Sequence, residues 1–314
     1  MMTTPDVLAF GAFPEETVDE LERRFALTLF EPPPAPGQIP EHVRDRVRGL
    51  ATAVNRGASG ELIALLPKLE IISCFGVGLD MIDLAAARRR GIAVTNTPGL
   101  VVDDVADLAI GLMLASARQI VFADRFVRDG SWQKESIALG RSLGRKTVGV
   151  LGLGGIGRAI ADRCTAFRMQ VIYGGPRRKP DAPYEYVADL IELARRSDYL
   201  MVACKGGPET RHLVSAAVIA ALGPAGTLVN VARGSVVDEA ALVAALADRR
   251  LGHAALDVFE NAPNISPELL ALPNAIVQPH HANATIETHH AVGRMMIENL
   301  VAHFDGRPLL TPVT

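Results

Sequence analysis

The chain opens with a short apolar run at residues 7–10, predicted as a strand, and a segment at 15–25 whose apolar spacing predicts a helix. Residues 31–40 hold five prolines and read as a loop. A second series follows, with a strand at 51–54, a helix around 61–66, a strand at 69–74, a helix near 81–90 and a strand at 93–96. Strands that alternate with helices predict a parallel sheet, because a crossover is needed to start each strand at the same edge.

Between 103 and 117 apolar residues recur at helical spacing, Val105, Leu108, Leu112 and Leu114 among them, and Asp103 and Asp104 suit the positive end of a helix. The alternation then restarts: a strand at 147–151, a helix at 156–167, and strands at 170–173, 199–203, 227–230, 254–257 and 275–278. From about residue 287 the pattern is again that of an amphipathic helix, suited to packing back on the first unit. One α/β unit is therefore expected to end before Pro98 and a second to begin with the helix after it.

Length supports that division, since 314 residues exceed one ordinary domain. Hydrophobic residues at 49% and charged residues at 21% place the chain among globular proteins and exclude a disordered or fibrous one. Thirty-two basic against 35 acidic residues give a formal charge of -3, with no basic excess to indicate a nucleic-acid or anionic-membrane partner. No apolar run reaches the ~18 residues of a membrane helix. Cys74, Cys164 and Cys204, an odd number set among apolar residues, argue against a disulfide framework and for a reducing, cytoplasmic setting. The histidine pairs His280–His281 and His289–His290 lack a cysteine or carboxylate to complete a ligand set, so no metal is expected. Arg88, Arg89 and Arg90 end a predicted helix, where they complement its dipole.

Gly152, Gly154, Gly155, Ile156 and Gly157 lie where the apolar strand at 148–151 meets a helix. In a strand–turn–helix setting this is a dinucleotide fingerprint: the glycines permit the tight turn and a close approach to pyrophosphate, whose charge meets the helix N-terminus. A glycine-rich turn without ligand is the plainer alternative. An acidic residue about 20 positions on would hold the ribose hydroxyls, but Tyr173 is followed by Gly174, Gly175 and Pro176. Arg177, Arg178 and Lys179 come next, cations that suit a 2′-phosphate. NADPH is therefore favoured over NADH, with a solvated basic loop as the bland reading.

Three later segments carry further chemistry: Asn230-Val-Ala-Arg233-Gly-Ser-Val-Val-Asp238-Glu239, Ala255-Leu-Asp257-Val-Phe-Glu260 and Gln278-Pro-His280. With Gly76-Val77-Gly78-Leu-Asp80 and Asp103-Asp-Val-Ala-Asp107 upstream, the chain resembles the D-isomer-specific 2-hydroxyacid dehydrogenase family over nearly its whole length. Gly306-Arg-Pro-Leu-Leu-Thr-Pro-Val is similar to the branch of glyoxylate, hydroxypyruvate and 2-ketogluconate reductases. The formate-oxidising branch fits less well, because it pairs its histidine with a glutamine and has longer chains.

The resemblance implies an α/β fold of two Rossmann-like, doubly wound parallel-sheet domains with the active site in the interdomain cleft. The substrate-binding domain would comprise residues 1–98 and 286–314, and the NAD(P)-binding domain residues 99–285. It also implies a homodimer and an NAD(P)-dependent oxidoreductase that passes hydride to a small 2-oxo acid, yielding a D-2-hydroxy acid. Glyoxylate and hydroxypyruvate lead the substrates, with 2-ketogluconate behind. Carried over by position, Arg233 would grip the carboxylate and carbonyl of the substrate and His280 would be the general acid. Backbone N–H groups around Val77 and Gly78 would hold the carboxylate, and Ala232 and Arg233 would line the cofactor. Asp257 would meet the nicotinamide carboxamide or, more simply, cap the strand end. Trp132 stands near a tryptophan that in this branch reaches the neighbouring subunit's substrate site, interface packing being the simpler role.

The chain departs from the family pattern in one place that bears on catalysis. Where the family reads Asp-Val-Phe-x-x-Glu-Pro, with a glutamate that hydrogen-bonds the catalytic histidine, this chain has Ala262. Without that carboxylate, His280 is expected to titrate nearer its ordinary ~6.5 and reduction to weaken as pH rises through that region. Glu260, two residues earlier, is the alternative partner. Ala262 also motivates a second reading, an NADP(H)-binding sensor or catalytically disabled homologue, against which Arg233 and His280 argue. Val102 stands where threonine is frequent and Lys205 where proline is common. Lys205 is read either as a positive charge near an anionic substrate or as a solvated loop lysine.

Overall fold

All strand pairs among the described residues are parallel. The computed structural model describes residues 4–31 and 35–313, so residues 32–34 of the expected proline-rich loop lie outside the described residues. The chain divides into two units, Met1–Val101 with Asn283–Thr314, and Val102–Ala282.

The first unit runs β1 (Asp6–Phe10), α1 (Glu15–Arg24), β2 (Ala26–Phe30), α2 (Glu41–Arg44), β3 (Gly49–Ala53), α3 (Gly60–Leu65), β4 (Ile71–Phe75), α4 (Leu84–Arg89) and β5 (Ala93–Thr95). Its five strands lie in the order β2-β1-β3-β4-β5. Every residue of β3 and β4 is buried, as expected of strands covered on both faces. Ser59 and Asp83 start α3 and α4 by accepting the N–H groups of Leu62 and Ala86. The Asp83 cap explains why the helix expected near 81 begins only at Leu84. β2 escaped the sequence pattern because a single residue, Phe25, separates it from α1, with no turn residue to mark the boundary.

The second unit opens with α5 (Val102–Ala117) and α6 (Ile120–Arg128). It continues through β6 (Thr147–Leu151), α7 (Gly155–Ala166), β7 (Gln170–Gly174), β8 (Glu185–Tyr186), α8 (Leu190–Arg195) and β9 (Tyr199–Val202). Then come α9 (Ala216–Leu222), β10 (Thr227–Asn230), α10 (Glu239–Ala247), β11 (His253–Leu256), α11 (Pro267–Leu270) and β12 (Ala275–Val277). The seven strands lie in the order β12-β11-β10-β9-β6-β7-β8. Thus the expected α/β class is observed as two parallel sheets of five and seven strands. The strand expected at 254–257 sits one residue earlier, which leaves Asp257 just beyond β11. Helices α2, α8, α9, α10 and α11 are only four to nine residues long, too short for a helical period to stand out. Asp103 and Asp107 on α5 hold Arg163 of α7 at 3.0 and 2.6 Å, tying the two helices together. No single helix among the described residues is long and apolar enough to cross a membrane.

The chain returns to the first unit as α12 (Ile286–Phe304), capped by the Thr285 hydroxyl. Ser73 of β4 donates to the Met296 carbonyl at 3.0 Å and accepts from Thr95 at 2.9 Å, which fastens α12 to the sheet through otherwise buried hydroxyls. Asn299 then ties down the tail. Fully buried, it donates to Met295 O and Thr311 Oγ1, both at 2.9 Å, and accepts from the N–H groups of Leu310 and Thr311 at 3.0 and 3.2 Å.

Asn299→Ala strips two backbone donors of their acceptor and is expected to cost about 2–3 kcal/mol, read as a lower midpoint of urea unfolding; an unchanged midpoint would show the tail's attachment to be dispensable.

Candidate active site

Parallel strands deliver their carboxyl ends to one edge of a sheet. Across the order of the seven-stranded sheet, that edge carries His280 three residues after β12, Asp257 directly after β11, and Arg233 three residues after β10. The glycine turn follows β6, and Arg177 and Arg178 follow β7.

The turn after β6 needs its glycines. Gly152 has φ +96, and a Cβ there would fall 2.6 Å from Cys204 Cα; one on Gly157 would fall 2.0 Å from Gly152 O. Gly154 caps α7 with no side-chain hydrogen bond, and open space surrounds the position of its missing Cβ. A bare helix N-terminus beside a glycine that faces open space fits a pyrophosphate.

Beyond β7, two tyrosines shape the basic loop, and sequence reasoning missed both. Tyr173 Oη accepts from Lys179 N at 2.8 Å, and Tyr186 Oη donates to Gly175 O at 2.8 Å. Arg158, on α7, holds Asp181 at 2.7 Å on the far side of the loop. Arg177 and Arg178 are left exposed between these fastenings, with no carboxylate partner among the described residues. No carboxylate stands directly at the end of this strand, where one would hold ribose hydroxyls.

Asn230 sets the Arg233 turn, a role that its place in the motif did not disclose. Its buried amide accepts from Ala232 N and donates to Arg233 O, both at 3.0 Å. Ala232 is itself buried, and the Arg233 guanidinium donates to the Ala232 carbonyl at 2.8 Å.

His280 occupies a left-handed backbone conformation, φ 55, uncommon for a residue with a side chain. Asp257 holds it there. The Asp257 carbonyl accepts from His280 N at 2.8 Å, and its carboxylate oxygens accept from His281 N at 2.7 Å and Ala282 N at 3.1 Å. Asp257 is fully buried, and its carboxylate serves the strand-end turn. Desolvation by surrounding protein pushes the His280 pKa below the ordinary histidine range; the Asp257 charge opposes this shift and the Arg233 charge adds to it. The shift therefore goes beyond the near-ordinary titration expected from losing the family's glutamate. Burial also raises the Asp257 pKa, against the lowering effect of its two backbone bonds.

Glu260 does not replace the missing glutamate. Its Oε1 lies 2.7 Å from Arg211 and 2.9 Å from His212 Nε2, and its N–H donates to Glu239. A shift of two residues along this turn sends the carboxylate to the 211–212 loop.

In the first unit, the loop after β4 holds Val77 and Gly78. Its carbonyls are engaged: Thr97 N donates to Gly76 O at 3.0 Å, Asn96 Nδ2 to Val77 O at 2.8 Å and Cys74 Sγ to Gly78 O at 3.6 Å. Among the described residues, the N–H groups of Val77 and Gly78 have no such acceptor, an arrangement suited to receiving an anion.

Comparison with known proteins agrees with this chemistry. Residues 110–282 match the model of the D-isomer specific 2-hydroxyacid dehydrogenase, NAD binding domain. A glyoxylate/hydroxypyruvate reductase of Arabidopsis thaliana is 45% identical over 295 residues, 94% of each chain. A 2-ketogluconate reductase of Gluconobacter oxydans is 43% identical over 313 residues, the whole of both chains. Among solved structures, the NADPH-dependent glyoxylate/hydroxypyruvate reductase of Sinorhizobium meliloti, in complex with NADP and malonate, superposes with a TM-score of 0.93 at 38% identity, covering 99% of this chain and 97% of that one. The chain belongs to the D-isomer specific 2-hydroxyacid dehydrogenase family, and is an NAD(P)-dependent oxidoreductase of that class.

Because Asp257 raises the proton affinity of His280, an NMR titration of Asp257→Asn should show the imidazole midpoint moved further below the ordinary ~6.5 than in the unaltered protein; equal midpoints would remove Asp257 from the electrostatics of the site.

Proposed function

We propose that the protein is an NADPH-preferring reductase of small 2-oxo acids, glyoxylate and hydroxypyruvate first and 2-ketogluconate next, forming D-2-hydroxy acids. The observation that carries this reading is the placement of Arg233 and His280 at the carboxyl edge of one sheet, with Arg233 close enough to influence the proton affinity of His280. The names of the relatives agree with it.

In this reading, residues 99–285 hold the cofactor, while residues 1–98 and 286–314 bind substrate. Gly152, Gly154, Gly155, Ile156 and Gly157 receive the pyrophosphate, Arg177 and Arg178 the 2′-phosphate, and Ala232 lines the nicotinamide end. Bound NADPH supplies the hydride that reduces C2. Arg233 holds the substrate carboxylate and carbonyl oxygen and offsets the negative charge that grows on that oxygen. In the first unit, the Val77 and Gly78 N–H groups are free, among the described residues, to receive a carboxylate. Protonated His280 gives its ring proton to the carbonyl oxygen, leaving a hydroxyl and a neutral imidazole.

Two further elements belong to the proposal. Ile120, Phe122 and Val127 of α6 are 53%, 47% and 55% exposed, and Trp132 is 67% exposed, a concentration of apolar surface suited to a homodimer interface. Three free thiols suit a reducing cytoplasm. A second reading, an NADP(H)-binding sensor or disabled homologue, draws on Ala262 and on the commitment of Glu260 to Arg211 and His212.

The deciding assay follows NADPH and NADH oxidation with glyoxylate, hydroxypyruvate and 2-ketogluconate across the pH range. The reductase reading expects turnover that declines as pH rises, because the depressed His280 pKa makes the protonated acid scarce. Ala262→Glu should move this decline to higher pH by favouring the protonated imidazole. NADPH binding without turnover, restored by Ala262→Glu, would favour the sensor or disabled enzyme.

Replacing both Arg177 and Arg178 by alanine should raise KM for NADPH by about tenfold or more, with little change for NADH; parallel changes would remove the 2′-phosphate assignment. Phe122→Asp with Val127→Asp should convert a sedimenting dimer to monomer if α6 forms the interface.

A further inference from the structure

We propose that Glu260 is a positioning residue for substrate binding, acting through Arg233 by joining the loops on either side of it. This inference rests on the reductase reading and deepens it, because it names what aims the arginine that grips the 2-oxo acid in that reading.

Strand order gives the first support. β10 lies between β9 and β11, so the loop that carries Arg233 leaves the sheet between the loop at 203–212 and the turn at 257–263. Both neighbours press on it. A Cβ on Gly206 would fall 2.5 Å from Cγ and 3.2 Å from Cβ of Arg233, which sets the backbone of the 203–212 loop against the arginine's aliphatic stem. From the other side, a Cβ on Gly234 would overlap the Phe259 carbonyl group and Glu260 N, so only glycine lets the turn come this close to the residue after Arg233.

The Glu260 carboxylate closes this arrangement. Its Oε1 reaches across to the 203–212 loop, 2.7 Å from Arg211 and 2.9 Å from His212 Nε2, and thereby joins the two segments that flank Arg233. Glu260 is itself fixed, since its N–H donates to Glu239 Oε2 at 2.9 Å and its side chain is only 18% exposed. His212 adopts a left-handed backbone, φ 50, and its N–H donates at 2.8 Å to the carbonyl of Ser235, two residues beyond Arg233. Thr210 passes the restraint along the loop, its hydroxyl donating to Lys205 O at 2.9 Å and to Gly207 O at 3.2 Å, on either side of Gly206. A chain of contacts therefore runs from Glu260 through 211–212 and Thr210 to the glycine that lies against the Arg233 stem. Fixing that stem matters chemically, because a guanidinium holds a carboxylate and carbonyl through directed, paired bonds that a small tilt forfeits.

The test separates substrate grip from folding. Oxamate, a 2-oxo acid analogue that is not reduced, is titrated calorimetrically into NADPH-saturated protein, and KM and kcat are measured with glyoxylate. Glu260→Ala should weaken oxamate binding about tenfold and raise KM for glyoxylate in step, with NADPH affinity unchanged. Arg211→Ala with His212→Asn, which cuts the same bridge from its more exposed side and keeps a residue that tolerates the left-handed backbone, should act in the same direction. Glu260→Gln, which retains an acceptor, should lose less. Glu260→Ala added to Arg233→Lys should cost nothing further, since the effect passes through Arg233. A urea-unfolding midpoint for each variant establishes which are folded. Unaltered oxamate affinity in the folded variants, or an equal loss with and without Arg233→Lys, would overturn the proposal while leaving the reductase reading in place. Absence of both oxamate binding and 2-oxo acid turnover in the unaltered protein defeats the reductase reading with it.

Discussion

Parallel pairing of strands is the constraint on which the site depends. A chain that builds such a sheet must cross back before each new strand, so every strand's carboxyl end points to the same edge. In the seven-stranded sheet, this brings His280, Asp257, Arg233, Lys205, Gly152 and Arg177 to one edge in the order of their strands, β12, β11, β10, β9, β6 and β7. The order reverses between β9 and β6, and there the glycine turn lies against Cys204. Crossover topology gathers these residues, and short-range bonds then aim them: Asn230 for Arg233, Asp257 for His280, and Tyr173 with Tyr186 for the basic loop.

This arrangement carries an electrostatic cost at His280. Protein around the ring and the positive Arg233 both disfavour the imidazolium, while Asp257 favours it. In the proposed reaction Arg233 holds an anionic substrate and His280 delivers a proton, so under that reading the group that would bind the substrate opposes protonation of the group that would complete the reaction. Under the same reading, a substrate carboxylate at Arg233 would neutralise part of that opposition, so substrate binding and protonation of His280 would reinforce one another.

Much of this organisation was legible in the chain. The glycine turn, Arg233, Asp257 and His280 are short motifs at the ends of apolar strands, and an alternating pattern locates strand ends to within a residue or two. Harder to read were contacts whose partners are remote in sequence or whose effect depends on side-chain direction. Tyr186 restrains a peptide carbonyl eleven residues before it, and Tyr173 looks like an ordinary buried aromatic until its hydroxyl is seen to receive Lys179 N. α6 begins after Gln119 turns through a left-handed conformation, φ 55, which no local residue pattern announces. Glu260 illustrates the limit most clearly: the sequence places a carboxylate two positions from the family's glutamate, but only the folded turn shows that it faces Arg211 and His212.

Asp257, with Ala262 where the family has a glutamate, bears on the protonation of His280, the proposed acid. A glutamate paired side chain to side chain with a histidine adjusts to the ring's protonation, strengthening its bond as the imidazolium forms. Asp257 has no such freedom, since both carboxylate oxygens are spent on backbone N–H groups of the turn that carries His280. Its charge therefore acts on the imidazole as part of the fixed scaffold, and moving the carboxylate would also release the turn that aims the ring. The same residue secures geometry and supplies the favourable charge, so the proton affinity of His280 is coupled to the conformation of the 280–282 turn.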